Sequence, residues 1–149
     1  MKNTENQFLR RQVSYWNGRL AGQLHWRLEK TLAPLDVTAS QFAVMMALSD
    51  GAAKPSELAE ALDVDAGAVT RLLDRLGEKG LLSRCEMAKK GDRRCVSVEL
   101  SAQGKAMLPK LRRAAEGLQE RLLEGMKDRQ RRELLGSLQN LYEKVRRMS

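Results

Sequence analysis

The chain has 149 residues, 42% of them hydrophobic and 31% charged, the make-up of a folded domain rather than a disordered one. Lysine and arginine number 27 against 19 acids, and the resulting +8 calls for an anionic partner, nucleic acid ahead of a membrane surface. One histidine and two cysteines cannot complete a four-ligand zinc site unaided, no phosphate-cradling glycine loop is present, and the longest apolar run, Phe42 to Leu48, is far short of a bilayer span. No metal, cofactor, membrane segment or catalytic machinery is therefore expected, and two cysteines without a signal-peptide pattern fit a reducing cytoplasm.

From Phe8 to Leu32, apolar residues recur every three or four positions, at Leu9, Val13, Trp16, Leu20, Leu24, Leu28 and Leu32. That spacing predicts one long amphipathic helix, stopped by Pro34. Thr38 or Ser40 can cap a second helix that carries Phe42, Val44, Met45 and Leu48 and ends at Asp50-Gly51. Residues 54–62 read as a short third helix with Pro55 in its first turn. After the tight connection Asp63-Val64-Asp65, a fourth helix runs from Ala66 to Lys79, with Val69, Leu72, Leu73 and Leu76 on one face and Gly80 as its stop.

Beyond Gly80 the period shortens to two. Residues 82–87 and 94–100 are strand-like, and Lys89-Lys90-Gly91-Asp92 makes the turn of a hairpin between them. Ser101 caps a fifth helix with Met107, Leu111, Ala115, Leu118 and Leu122, and a sixth covers 128–147 with a heptad-like stripe of Leu134, Leu138, Leu141 and Val145.

Charge is distributed in blocks. Residues 1–32 carry six basic and two acidic side chains, 33–65 one basic and six acidic, and 66–95 eight basic and four acidic. The basic excess of the last block falls on the fourth helix and the hairpin, a localised footprint rather than a solvating coat. Two short helices joined by a three-residue turn and followed by a basic hairpin form the pattern of a winged helix-turn-helix. The major groove admits one helix, and the helix before it props that reader against the backbone. Arg71 and Arg75 lie on the polar side of the reader, while Lys89 and Lys90 supply general attraction to phosphates.

The run Ala68 to Arg84 resembles the recognition helix and first wing strand of MarR-type transcriptional regulators. Gly91-Asp92-Arg93-Arg94, followed by residues 96–104, is similar to that family's D-x-R wing tip and its entry to the fifth helix. Residues 38–42 and 56–59 fit as well, so the resemblance covers essentially the whole chain. It implies a mainly α fold: a winged helix-turn-helix over 36–100 with a two-stranded β wing, and dimerisation helices over 1–35 and 101–149. It also implies a homodimer on a pseudo-palindromic operator in double-stranded DNA, acting as a repressor that a small aromatic or phenolic effector releases. Ala66, Gly67, Thr70, Arg71 and Arg75 would then face the major groove. Arg94 would read the minor groove, oriented by Asp92, with Arg93 supporting the wing.

Two further groups compete with plainer readings. Cys85 and Cys95 are symmetric about residue 90, so a symmetric hairpin would place them opposite each other, within disulfide reach. That makes a thiol-based redox regulator the alternative function, against two incidental strand thiols. Trp16, Arg19 and Met45 have the chemistry of an effector pocket, although core packing is the commoner fate of Trp16 and Met45. A helical adaptor that binds no DNA is the alternative of a different class.

Overall fold

The computed structural model describes residues 7–51, 53–87 and 95–148. Residues 7–10 make a helical turn, and Gln12 is extended before α1 (Val13–Leu32) begins. The expected single helix from Phe8 is thus broken at residues 11–12, a break spanned by a hydrogen bond from Trp16 Nε1 to the Arg10 carbonyl, 2.9 Å. Pro34 sits inside a 3₁₀ turn (Ala33–Leu35) that closes with Asp36 in the left-handed conformation, φ 54°.

Helix α2 (Ala39–Ala47) starts at Thr38, not Ser40. The Thr38 hydroxyl accepts from Gln41 N, and Gln41 Oε1 accepts from Thr38 N, both at 3.1 Å, so two orphan donors are satisfied reciprocally. Helix α3 (Pro55–Leu62) ends on Asp63, also left-handed, and Asp65 caps α4 (Ala66–Glu78) by accepting from Ala68 N at 2.8 Å. Gly80, φ 70°, ends α4 in the backbone conformation that glycine adopts without strain.

Strands β1 (Leu82–Met87) and β2 (Cys95–Leu100) pair antiparallel, and α5 (Ala102–Leu122) and α6 (Asp128–Arg146) follow. A contribution invisible to periodicity comes from Ala53, which bridges Val98 through both its N–H and its C=O. That single-residue rung ties the approach to α3 onto the wing.

The chain forms two compact units, residues 1–115 and 116–149. In the first, Leu32, Val44, Met45, Leu48, Leu58, Val69, Leu76, Leu81 and Leu111 make a continuous core joined by Val98 and Leu100 from the wing. Each element contributes the residues its periodicity marks, so burial of apolar surface and helical phase agree. In the second unit α6 buries none of its residues. No helix among the described residues is long and apolar enough to cross a membrane.

Candidate nucleic-acid interface

Helix α4 has two sides of opposite character. Val69, Leu73 and Leu76 are buried against the core, which leaves Ala66, Gly67, Thr70, Arg71 and Arg75 exposed together on the other side. The five residues that sequence reasoning placed at the groove therefore share one surface. Thr70 Oγ1 donates to the Ala66 carbonyl at 2.9 Å, which fixes the hydroxyl and leaves its lone pairs available to a donor. A Cβ at Gly67 would lie 3.1 Å from Asp65 Oδ1 and 3.6 Å from Arg71 Nη1, so this glycine leaves room for both the cap and the arginine.

Neither arginine pairs with a carboxylate among the described residues, so each keeps its donors for an external acceptor. Arg84 differs: its Nη2 meets Asp74 Oδ1 at 3.2 Å on the surface, linking β1 to the middle of α4. Lys79, at the C-terminal end of α4, also has partners. Its Nζ donates to the Asp36 carbonyl and to Gln41 Oε1.

Lys89, Lys90, Asp92, Arg93 and Arg94, the wing-tip candidates, lie outside the described residues. The strand register corrects the expectation for the cysteines. Cys85 pairs with Ser97 and Met87 pairs with Cys95, so the two cysteines are diagonal rather than opposite. The hairpin is centred on residue 91, one position beyond the centre that the cysteine numbers suggest, because seven residues separate Met87 from Cys95. Diagonal positions stand roughly 7–8 Å apart, beyond ordinary disulfide reach without backbone movement.

The proposed effector trio is not brought together. Met45 is 0% exposed in the core, whereas Trp16 is 53% exposed on α1, and Arg19 lies over the Tyr15 ring at 5.5 Å. A different concavity, of about 510 Å³, lies beside α4. His25 and Leu28 of α1, Ala43 of α2, and Arg71, Leu72 and Arg75 of α4 line it. Sequence reasoning missed it because its walls are contributed by residues more than forty positions apart. Its only local signal was Arg71 and Arg75 flanking Leu72.

A reading helix propped by a shorter one, with a two-stranded wing strapped to both, defines a winged helix-turn-helix protein. Residues 37–96 match the model of the MarR family, and the chain belongs to that family. The multiple antibiotic resistance protein MarR of Escherichia coli (strain K12) is 43% identical over 81 residues, 54% of this chain and 55% of that protein. The transcriptional repressor MdtR of Bacillus subtilis (strain 168) is 39% identical over 69 residues, 46% of this chain and 43% of that protein. The chain spans about half the length of the curated relatives it matches. Among solved structures, Bordetella bronchiseptica BpsR, whose DNA binding is regulated by 6-hydroxynicotinic acid, superposes with a TM-score of 0.79 at 26% identity. That match covers 89% of this chain and 94% of BpsR.

Proposed function

We propose that the chain is a cytoplasmic, sequence-specific DNA-binding transcriptional repressor that works as a homodimer. The observation that carries this reading is the exposed side of α4, where Thr70, Arg71 and Arg75 stand clear of carboxylate partners over a buried apolar stripe. Helix α4 supplies direct readout in the major groove. By the sequence resemblance, Arg94 oriented by Asp92 reads the minor groove, while Arg93, Lys89 and Lys90 add wing and phosphate contacts. Helices α1, α5 and α6 supply the dimer contacts. The division into a DNA-binding module over 36–100 and dimerisation arms over 1–35 and 101–149 is part of this proposal.

Selection of bound sequences from random duplexes, followed by affinity measurements in a salt series, tests the reading. Arg71→Ala should reduce discrimination at particular operator bases by about 1–3 kcal/mol, the share of a bidentate base contact. Lys90→Ala should instead weaken all duplexes alike and make the salt dependence shallower. Equal losses on operator and random DNA for Arg71→Ala would remove it from the base-reading set.

The groove beside α4 is the best place for a releasing effector. An aromatic anion there would rest on Leu28 and Leu72 and pair with Arg71 and Arg75, withdrawing those guanidinium groups from DNA. BpsR, regulated by an aromatic acid, supports this choice of ligand class. Filling the groove by Ala43→Phe should abolish release of bound operator by 6-hydroxynicotinate. Release at the native concentration would place the effector elsewhere.

A further inference from the structure

Helix α4 is held at its start by the Asp65 cap and by the turn from α3. Its far end is held differently. Lys79, the residue that closes α4, is about 29% exposed, and its ammonium points away from the reading surface. Three oxygens surround it: the Asp36 carbonyl, Asp36 Oδ1 at 3.5 Å and Gln41 Oε1 at 3.3 Å. An ammonium has three donors, and three acceptors from the α1–α2 junction meet them. Gln41 is itself 2% exposed and locked in the Thr38 capping box. Asp36 is fixed in the left-handed conformation that closes the 3₁₀ turn. The same junction is tied to α1 by Glu29, whose Oε1 accepts from Ala39 N at 2.8 Å.

We propose that Lys79 is a positioning residue for DNA recognition, latching the end of the reading helix to the junction that ends the first arm helix. This rests on the DNA-binding, dimeric reading above. The leverage is geometric. At 1.5 Å per residue a 13-residue helix is about 20 Å long, so a swing of about 5° around its capped start moves the far end by about 1.7 Å. Base-edge hydrogen bonds do not tolerate such a displacement. Because arm and reader are coupled through the latch, it also fixes how far apart two readers stand in a dimer. Lys79 thereby sets half-site spacing without touching DNA.

The test uses the full chain, the operator recovered by selection, and operators lengthened or shortened by one base pair at the centre. Lys79→Met should weaken the native operator about tenfold, the share of one base contact. It should cost the altered spacings much less, so the preference for native spacing shrinks. The slope of affinity against salt should stay unchanged, and Lys79→Arg should restore most of the preference. Asp36→Asn keeps the left-handed turn and removes only the carboxylate, so it should move spacing preference the same way, by less, even where Lys79→Met fails to fold. A slope shallower by about 0.9 would make Lys79 a phosphate contact and overturn the proposal. Equal losses at every spacing with a lowered Tm would reduce it to a structural residue. A native chain that bound no duplex would overturn the DNA-binding reading, and the positioning role with it.

Discussion

Leu138→Asp should convert the dimer to a monomer and lower operator affinity by about 10²–10⁴-fold. Helix α6 buries none of its residues, yet Leu134, Leu138, Leu141 and Val145 repeat along it at four-three spacing on one side. On α1, Val13, Trp16, Leu20 and Leu24 are likewise exposed. Apolar stripes of this length on two helices mark an association surface. A second copy satisfies both at once, with each patch meeting its own counterpart across a two-fold axis. A carboxylate at Leu138 would have to be buried without a partner, at a cost that exceeds what the remaining contacts supply. Separated protomers then bind one half-site each and forfeit the effective-concentration advantage of a linked pair. Asn140→Asp, on the opposite side of α6, should change neither property. Sedimentation equilibrium at micromolar concentration, paired with operator titrations, decides between these outcomes. A Leu138→Asp protein that stayed dimeric would put the interface elsewhere.

Gly104→Ala should destabilise the fold by about 2–3 kcal/mol and lower Tm by roughly 5–10 °C. A Cβ at Gly104 would stand 2.2 Å from the Leu81 carbonyl oxygen and 3.2 Å from its carbon. That carbonyl cannot retreat cheaply, because it accepts from Ser101 N at 3.0 Å. Ser101 Oγ meanwhile donates to the Gly80 carbonyl at 2.6 Å and accepts from Gly104 N at 3.0 Å. The start of α5 and the end of α4 are thus pressed together, and only a residue without a side chain fits. Gly77→Ala makes the contrast. It meets nothing within 4 Å and should be neutral or stabilising by up to about 1 kcal/mol, the usual helix preference for alanine. Thermal melts of the two proteins check the pair, and a Gly104→Ala protein melting with the native one would show that the junction can slide.

Those two glycines illustrate what was legible in the sequence. Both sit inside helices, both look like the same propensity penalty, and only three-dimensional proximity separates them. Helix positions were readable because period and punctuation agreed: Pro34, Thr38, Pro55, Asp65, Gly80 and Ser101 each stand at a boundary that the structure has. The buried sides of α2, α4 and α5 followed from the same period. Hairpin register was not readable, because the parity of the connecting segment decides it and the turn chemistry at Gly91 does not reveal that parity; Cys85 and Cys95 were misaligned for this reason. Periodicity also marks an apolar side without saying what covers it. Met45 and Trp16 both lie on such sides, and one is enclosed while the other is open. The Ala53–Val98 rung and the groove shared by His25, Arg71 and Arg75 join distant parts of the chain, so no local pattern announced them.

Arg71 and Arg75 stand on the exposed side of α4 and also in the wall of the adjacent groove. A substitution that adapts either one to a new operator base also reshapes the lining of that groove. Descendants of this chain could not retune target sites and chemical inducers one at a time. The lineage should change both together, or shift one task onto Thr70 or His25 before the other is free to drift.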